Sequence, residues 1–218
     1  AAGSVSATIP GVPADHPSVL TSRTALDLVD IPERLLVIGG GIIGLELGQV
    51  YAALGSKVSV VEFLPHLLPG TDSDLVKPLQ RKLKKQFESI QLSSKVTTVT
   101  PNKKGTLSVT IENEKGTKKE VFNKVLVSVG RKPNTNLLNI EATGVEVNEH
   151  GFINVDVYQR TSEKNIFAIG DIAAVVSQRT PKGHPQVAQV AIQQGKYLGE
   201  VIKYRITGRE YSKPFRYL

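Results

Sequence analysis

The stretch Arg34-Leu35-Leu36-Val37-Ile38-Gly39-Gly40-Gly41-Ile42-Ile43-Gly44 decides how this chain folds. Its first half is a continuous apolar run of the kind buried on both faces of a parallel sheet. The run ends in glycines spaced G-x-G-x-x-G at Gly39, Gly41 and Gly44. From Ile42 to Leu54 the pattern is helical, with Leu45, Val50 and the small Gly48, Ala52 and Ala53, and Gly55 is suited to stop the helix. A second apolar strand follows, Lys57-Val58-Ser59-Val60-Val61-Glu62. Strand, glycine turn, helix and strand within about 30 residues match a parallel βαβ crossover. The fold class this predicts is α/β, a Rossmann-like domain with a parallel central sheet.

A turn of this composition suits a pyrophosphate. The ligand needs a tight bend, backbone N–H groups within reach and a helix N-terminus aimed at its charge. Gly39 can make the bend, Gly41 leaves out a side chain that would bar the phosphates, and Gly44 lets the helix press against the strand. Such a glycine triplet alone is weak evidence, because glycine-rich turns are common; the strand before it and the helix and strand after it strengthen the reading. Glu62 ends the second strand about 20 residues past the turn, where a carboxylate accepts bonds from adenosine ribose hydroxyls. It would repel a 2′-phosphate and no Arg follows it directly, so NAD(H) is expected rather than NADP(H). The plainer reading of Glu62 is a charged residue that ends a strand. Glu46, taken alone, is an acid in the first turn of the helix, stabilised by its dipole.

Further along, Thr71 or Asp72 can cap a helix that runs to about Phe87, with Leu75, Leu79, Leu83 and Phe87 as its buried stripe. Ile90–Val99 reads as one strand, and Thr106–Glu112 and Lys118–Phe122 flank a Glu114-Lys115-Gly116 turn as an antiparallel excursion. Val125–Val129 is again apolar and closes at Gly130. Short strands are expected around Phe152–Val155 and Ile166–Ile169, then a polar loop at Ser177–His184 and a helix from about Gln186 to Tyr204. Ile166-Phe167-Ala168-Ile169-Gly170-Asp171 delivers an Asp at a strand's carboxyl end, where open α/β sheets bind ligands. A helix or turn cap would suit Asp171 equally well.

Composition limits the alternatives. The chain has 218 residues, 40% hydrophobic and 22% charged, as in an ordinary globular protein. Its net charge of +7 raises nucleic acid as a partner. In the densest basic run, Arg81-Lys82-Leu83-Lys84-Lys85, the basic residues fall instead on the solvated side of the helix, opposite the stripe that holds Leu83, and no aromatics interleave with them, so no nucleic-acid partner is expected. No apolar run approaches the roughly 20 residues that span a bilayer, and no signal peptide is legible, so no membrane association is expected. A cytoplasmic location is expected, or the mitochondrial matrix for a eukaryotic protein. Cysteine is absent, which leaves no disulphide, thiolate metal site or cysteine redox centre in these residues, and no metal site is expected. Methionine is absent too, and the opening Ala1-Ala2-Gly3-Ser4 reads like the interior of a protein, so a fragment or processed segment is expected.

Several stretches together resemble the pyridine nucleotide-disulphide oxidoreductases, and among them most the dihydrolipoamide dehydrogenases. They are Val37 to Gly48, Val60-Val61-Glu62-Phe63-Leu64-Pro65, Leu67-Leu68-Pro69-Gly70, Val127-Ser128-Val129-Gly130-Arg131-Lys132-Pro133-Asn134-Thr135 and Ile166 to Ile172. The resemblance implies an oxidoreductase that joins NAD(H) to FAD. It implies that Gly39, Gly41 and Gly44 line the NAD pyrophosphate, that Glu62 holds the adenosine ribose and that Glu46 reaches the nicotinamide end beside the flavin. It also implies that Gly130 packs against the cofactor, that Asp171 bonds the FAD ribityl chain and that Ala188, within Gln186-Val187-Ala188-Gln189, lies near the flavin ring. Ala2-Gly3-Ser4 corresponds to a strand end near FAD. The family's FAD-ADP glycine turn, its redox cysteine pair and its dimerisation domain with a His-Glu pair have no counterpart here. Gln189 stands where the lipoamide enzymes usually have His, and 177–184 carries a longer polar insertion.

The expected organisation is therefore a partial FAD-domain segment over 1–30, an NAD-binding domain over 31–130, and the remaining part of the FAD domain over 131–218. FAD is expected in the parent and absent or weakly held in this chain. No catalytic residue is expected in the chain, which should not complete the parent reaction alone, because no thiol can receive the electrons. The partners implied are NAD(H), the missing flanking domains, a homodimeric parent and a 2-oxo acid dehydrogenase complex. The alternatives are a segment of a non-disulphide NADH:flavin oxidoreductase and a non-catalytic assembly piece.

Overall fold

The computed structural model describes residues 1–175 and 186–217. In chain order the strands are β1 (Ser4–Ser6), β2 (Val19–Leu20), β3 (Arg34–Ile38), β4 (Lys57–Val61), β5 (Ser89–Gln91), β6 (Lys95–Pro101), β7 (Leu107–Asn113), β8 (Gly116–Phe122), β9 (Lys124–Val127), β10 (Arg131–Pro133), β11 (Ile153–Asn154) and β12 (Ala173–Ala174). The helices are α1 (Ser22–Ala25), α2 (Ile42–Ala53), α3 (Ser73–Gln86) and α4 (Ala188–Ile206), with three single 3₁₀ turns between β10 and β12. They form two compact units, one of residues 6–130 and one of residues 1–5 with 131–217.

The unit of residues 6–130 is three layers. A five-stranded sheet in the order β2-β9-β3-β4-β5 lies in the middle, and every pair in it is parallel. Because side chains alternate along a strand, β3 feeds two cores. Leu35 and Val37, with Val58, Val60 and Leu126, meet α2 and α3 through Leu45, Leu47, Tyr51, Val76 and Leu83. Leu36 and Ile38, with Val61, Val125 and Val127, meet Val96, Val99, Leu107, Val109, Ile111 and Phe122 of the antiparallel sheet β6-β7-β8. The antiparallel excursion thus covers the face that a helix would otherwise cover. Residues 6–30 pack here too: Val19 and Leu20 make the sheet's edge beside β9, and Tyr51 Oη donates to Ala25 O at 2.8 Å.

Three details differ from the sequence reading. Ile90–Val99 is two strands, not one; the chain turns at Leu92–Ser94, with Ser93 at φ 47°, leaving the parallel sheet as β5 and entering the antiparallel sheet as β6. In α3, Leu75 is exposed and Val76 is buried with Leu83, Leu79 only partly covered; Leu75 stands about 100° round the helix from the line of Val76 and Leu83. Ile166–Ile169 forms no strand beyond a single bridge of Phe167 to Arg160, and Gly170–Ile172 is a 3₁₀ turn leading into β12.

The second unit pairs β1 with β10 and, in parallel, β11 with β12 around a small core of Val145, Ile153, Ala168 and Ile172. Tyr197 of α4 meets Tyr211 and Phe215 edge-on and donates from Oη to Lys213 O at 2.9 Å. Burial, then the nearby Tyr211, Tyr158 and Asp156, push its hydroxyl pKa up to about 12. The expected Ser177–His184 loop lies outside the described residues.

Candidate functional site

Chain order reverses between β3 and β9. From β3 the chain winds outward through β4 and β5, then returns to lay β9 on the other side of β3. The carboxyl ends of β3 and β9 therefore flank a crevice at the switch point, the usual ligand position in open α/β sheets. Gly39 to Gly44 stands at that point.

Each glycine there answers a different demand. Gly39 has φ 107°, and a Cβ on it would lie 2.5 Å from Ser128 O at the end of β9. A Cβ on Gly44 would lie 2.3 Å from Gly39 O and 2.5 Å from Ser128 Oγ, so α2 sits against the strand ends as the spacing predicts. Gly41 is the opposite case: a Cβ there would meet nothing within 4 Å. It is the N-cap of α2 and provides no side-chain cap for the first N–H groups of the helix, where the positive end of its dipole lies. Gly48 allows a close approach elsewhere on α2, where a Cβ would come within 3.2 Å of Phe87 Cζ.

Glu62 follows β4 directly and is buried, at 7% exposure. Its Oε2 accepts from Gly40 N–H at 2.6 Å and its Oε1 from Leu64 N–H at 2.7 Å. The loop after Glu62 returns to the turn as well, because Leu68 N–H donates to Gly40 O at 2.9 Å and fully buried Leu67 lies against Gly40. Glu62, Gly39, Gly41 and Gly44 are thus brought together at one end of the sheet. Glu46 is exposed on α2; as the fifth helical residue it belongs to the second turn, not the first as its sequence position suggested. Gly130 has φ 121° and accepts from Ala7 N–H at 3.0 Å.

Sequence reasoning passed over Ser128. Its hydroxyl lies 3.0 Å from Ile38 O and 3.3 Å from Gly39 O, bridging β9 to the start of the turn. A lone Ser inside the apolar run Val125–Val129 is the signal that could have found it, since a hydroxyl among valines needs a buried acceptor.

In the second unit Asp171 sits on the 3₁₀ turn Gly170–Ile172. Its Oδ2 accepts from Ser4 Oγ at 2.5 Å, and Arg131 Nε donates to Ser4 Oγ at 2.6 Å while Nη2 donates to Ser4 O. Buried Gln194 of α4 accepts from Gly170 N–H at 2.6 Å, and Gln186 Nε2 donates to Asp171 O at 2.9 Å. These bonds fix the turn that presents Asp171. Ala188 is the exposed first residue of α4, whose N-cap Val187 offers no side-chain cap.

Among the described residues no group of three His, Cys, Asp or Glu could hold a metal ion, and no helix is long and apolar enough to cross a membrane.

Known proteins agree with this architecture. The chain is 42% identical over 203 residues to a dihydrolipoyl dehydrogenase of Vibrio parahaemolyticus, covering 93% of this chain and 40% of that protein. It is 41% identical over 177 residues to the mitochondrial dihydrolipoyl dehydrogenase of Rattus norvegicus, covering 80% and 35%. The chain thus spans about two fifths of the length of the curated relatives it matches. Among solved structures it is similar to LpdA of Mycobacterium tuberculosis, with a TM-score of 0.81, 27% identity and coverage of 99% of this chain and 43% of that one. It is also similar to a water-forming NADH oxidase of Lactobacillus brevis, solved bound to NADH, with a TM-score of 0.79, 25% identity and coverage of 98% and 46%. The family model described as pyridine nucleotide-disulphide oxidoreductase matches residues 1–195, and the chain belongs to that family.

Proposed function

We propose that this chain is the NAD(H)-binding segment of a flavoprotein oxidoreductase of the dihydrolipoyl dehydrogenase type. One observation carries the reading. An uncapped helix N-terminus opens on free space at Gly41, at the switch point of a parallel sheet, with a carboxylate standing beside the turn. The free N–H groups of α2 would bind the pyrophosphate, and the space a Cβ on Gly41 would fill is the cradle for it. Glu62 would hold the adenosine ribose, Glu46 would reach toward the nicotinamide end, and Gly130 would pack against the cofactor. Residues 31–130 serve as the NAD domain on this reading, with residues 6–30 packed on its sheet rather than belonging to the FAD domain as their sequence position suggested, and residues 1–5 and 131–218 serve as parts of the FAD domain.

The second unit supports an FAD role through Asp171, held on its turn by Ser4, Gln186 and Gln194. A carboxylate so fixed suits a ribityl hydroxyl, and exposed Ala188 presents no bulk where a flavin ring would approach. When bound, FAD supplies the acceptor for a hydride leaving the nicotinamide. In the parent this would serve electron transfer between NADH, FAD, a redox disulphide and lipoamide, in a homodimer within a 2-oxo acid dehydrogenase complex. A cytoplasmic or mitochondrial-matrix setting fits that role. This chain holds no cysteine, so the disulphide would come from the flanking sequence.

Calorimetric titration of the chain with NADH should show binding that Glu62→Arg weakens; equal heats from both proteins would sink the proposal. The likeness to a water-forming NADH oxidase favours a second reading, a non-disulphide NADH:flavin oxidoreductase. A Cys-x4-Cys pair in the flanking sequence of the parent decides for the first reading.

A further inference from the structure

Glu62 makes two hydrogen bonds that a ribose acceptor does not need. Its Oε2 takes the N–H of Gly40, inside the glycine turn, and its Oε1 takes the N–H of Leu64. Gly40 is gripped from its other side by Leu68 N–H on its carbonyl, and a Cβ on it would lie 2.6 Å from Leu67 Cδ2. The middle of the turn is therefore fastened to the loop after β4 through one carboxylate and one backbone bond.

We infer that Glu62 is a positioning residue for the glycine turn, holding Gly40 so that the N-terminus of α2 stands ready for a pyrophosphate, as well as a partner for ribose. The inference rests on the NAD(H) reading above. The two roles are compatible, because each carboxylate oxygen has two lone pairs and each backbone bond uses one. They also place a specific chemical demand on the position. Two N–H donors, one of them buried, need two acceptor atoms. Glutamine provides one acceptor and turns its amide N–H₂ toward the other donor, and arginine provides none. A basic residue placed here to welcome a 2′-phosphate would strand both donors and loosen the turn for either cofactor. Cofactor preference in this chain therefore does not reverse through position 62 alone.

The test separates holding the turn from holding the ribose. The full 218-residue chain and its Glu62→Gln variant are titrated calorimetrically with NADH and with an NADH analogue lacking both adenosine ribose hydroxyls. If Glu62 positions the turn as well as holding the ribose, the variant loses affinity for both ligands, on the order of tenfold for the analogue, as expected for one charge-assisted bond, and by a larger factor for NADH. If the analogue binds both proteins equally while NADH weakens, Glu62 is a ribose acceptor only and the inference is overturned. Amide hydrogen exchange of the ligand-free proteins gives a reading independent of nucleotide. Gly40 N–H should exchange slowly in the unsubstituted chain and faster in the variant, and equal rates would overturn the inference. Should the variant not fold, the unsubstituted chain still decides. Slow exchange at Gly40 and Leu64 supports the fastening, and rates typical of an open loop refute it. An unsubstituted chain that protects Gly40 but binds no NADH would overturn the nucleotide reading, and with it the purpose assigned to the turn.

Discussion

At the scale of single residues, three glycines of one short turn have separable duties. Gly44 is fixed by contact: a methyl group there would press 2.3 Å from Gly39 O and 2.5 Å from Ser128 Oγ, distances that real Cβ atoms do not reach. Gly44→Ala should therefore push α2 away from the sheet and cost about 2–3 kcal/mol, in the range of overpacked cores. Gly41→Ala meets no protein atom and should leave stability within about 0.5 kcal/mol, the usual span for surface changes. The same methyl would stand in the phosphate cradle, so NADH affinity should fall while the urea midpoint holds. Paired urea unfolding and NADH titration of the two variants check this, and an unfolding midpoint lowered equally by both would refute the distinction. Gln159 has no such rationale. It is fully buried at φ 64°, and among the described residues neither atom of its amide has a hydrogen-bond partner.

At the scale of elements, β9 matters more than its four residues suggest. It joins β2 to β3, and the Ser128 hydroxyl that follows it ties its end to Ile38 O and Gly39 O. Ser128→Ala should cost about 1 kcal/mol for the lost bonds, seen as a lower urea midpoint, and weaken NADH by a few-fold as the turn loosens. An unchanged midpoint and affinity would show that the bridge is idle. The parallel βαβ core was legible because its signals are local and agree: the apolar run of β3, the glycines, the helical period of α2 and the valines of β4. The start of α3 was legible to within one residue for the same reason: Thr71 and Asp72 both suited its cap, and Asp72 takes it. What escaped notice depends on distant partners. The break at Leu92–Ser94 is invisible in the apolar pattern of Ile90–Val99, because Ile90 packs partly buried against one core while Val96 and Val99 are buried in another, each piece in a different sheet. Ile166–Ile169 has the composition of a strand, yet only Phe167 finds a bridge partner, across from Arg160. The position of Glu62 was legible; its grip on Gly40 was not, since a backbone partner leaves no mark in side-chain identity.

At the scale of the whole molecule, the larger unit joins its two sheets partly through charge. Arg34 at the start of β3 bonds Glu88 at 2.8 Å, reaches Glu120 of β8 at 3.4 Å and lies over the Phe122 ring. Burial alone would raise the Glu120 pKa. The hydrogen bond and charge of Lys118, then Gln91 and Arg34, outweigh that and hold it below the usual carboxylate range. A carboxylate depressed in the folded state adds stability that is present above its unfolded value and lost as pH falls through its folded one. The stability of the chain against urea should therefore fall as the buffer passes below about pH 4.3, and Glu120→Gln should flatten that acid limb. An acid limb equally steep in both proteins would place the lost protons elsewhere. The order of the sheet has a further consequence in time. β3, α2 and β4 are complete by residue 61, but β9 arrives only with residues 124–127, and Ser128 after it. A chain emerging in sequence order makes its glycine turn early and secures one wall of it some 66 residues after β4 ends. Until then the β9-facing edge of β3 stands unpaired, and that interval is when this unit is most exposed to pairing with the wrong strand.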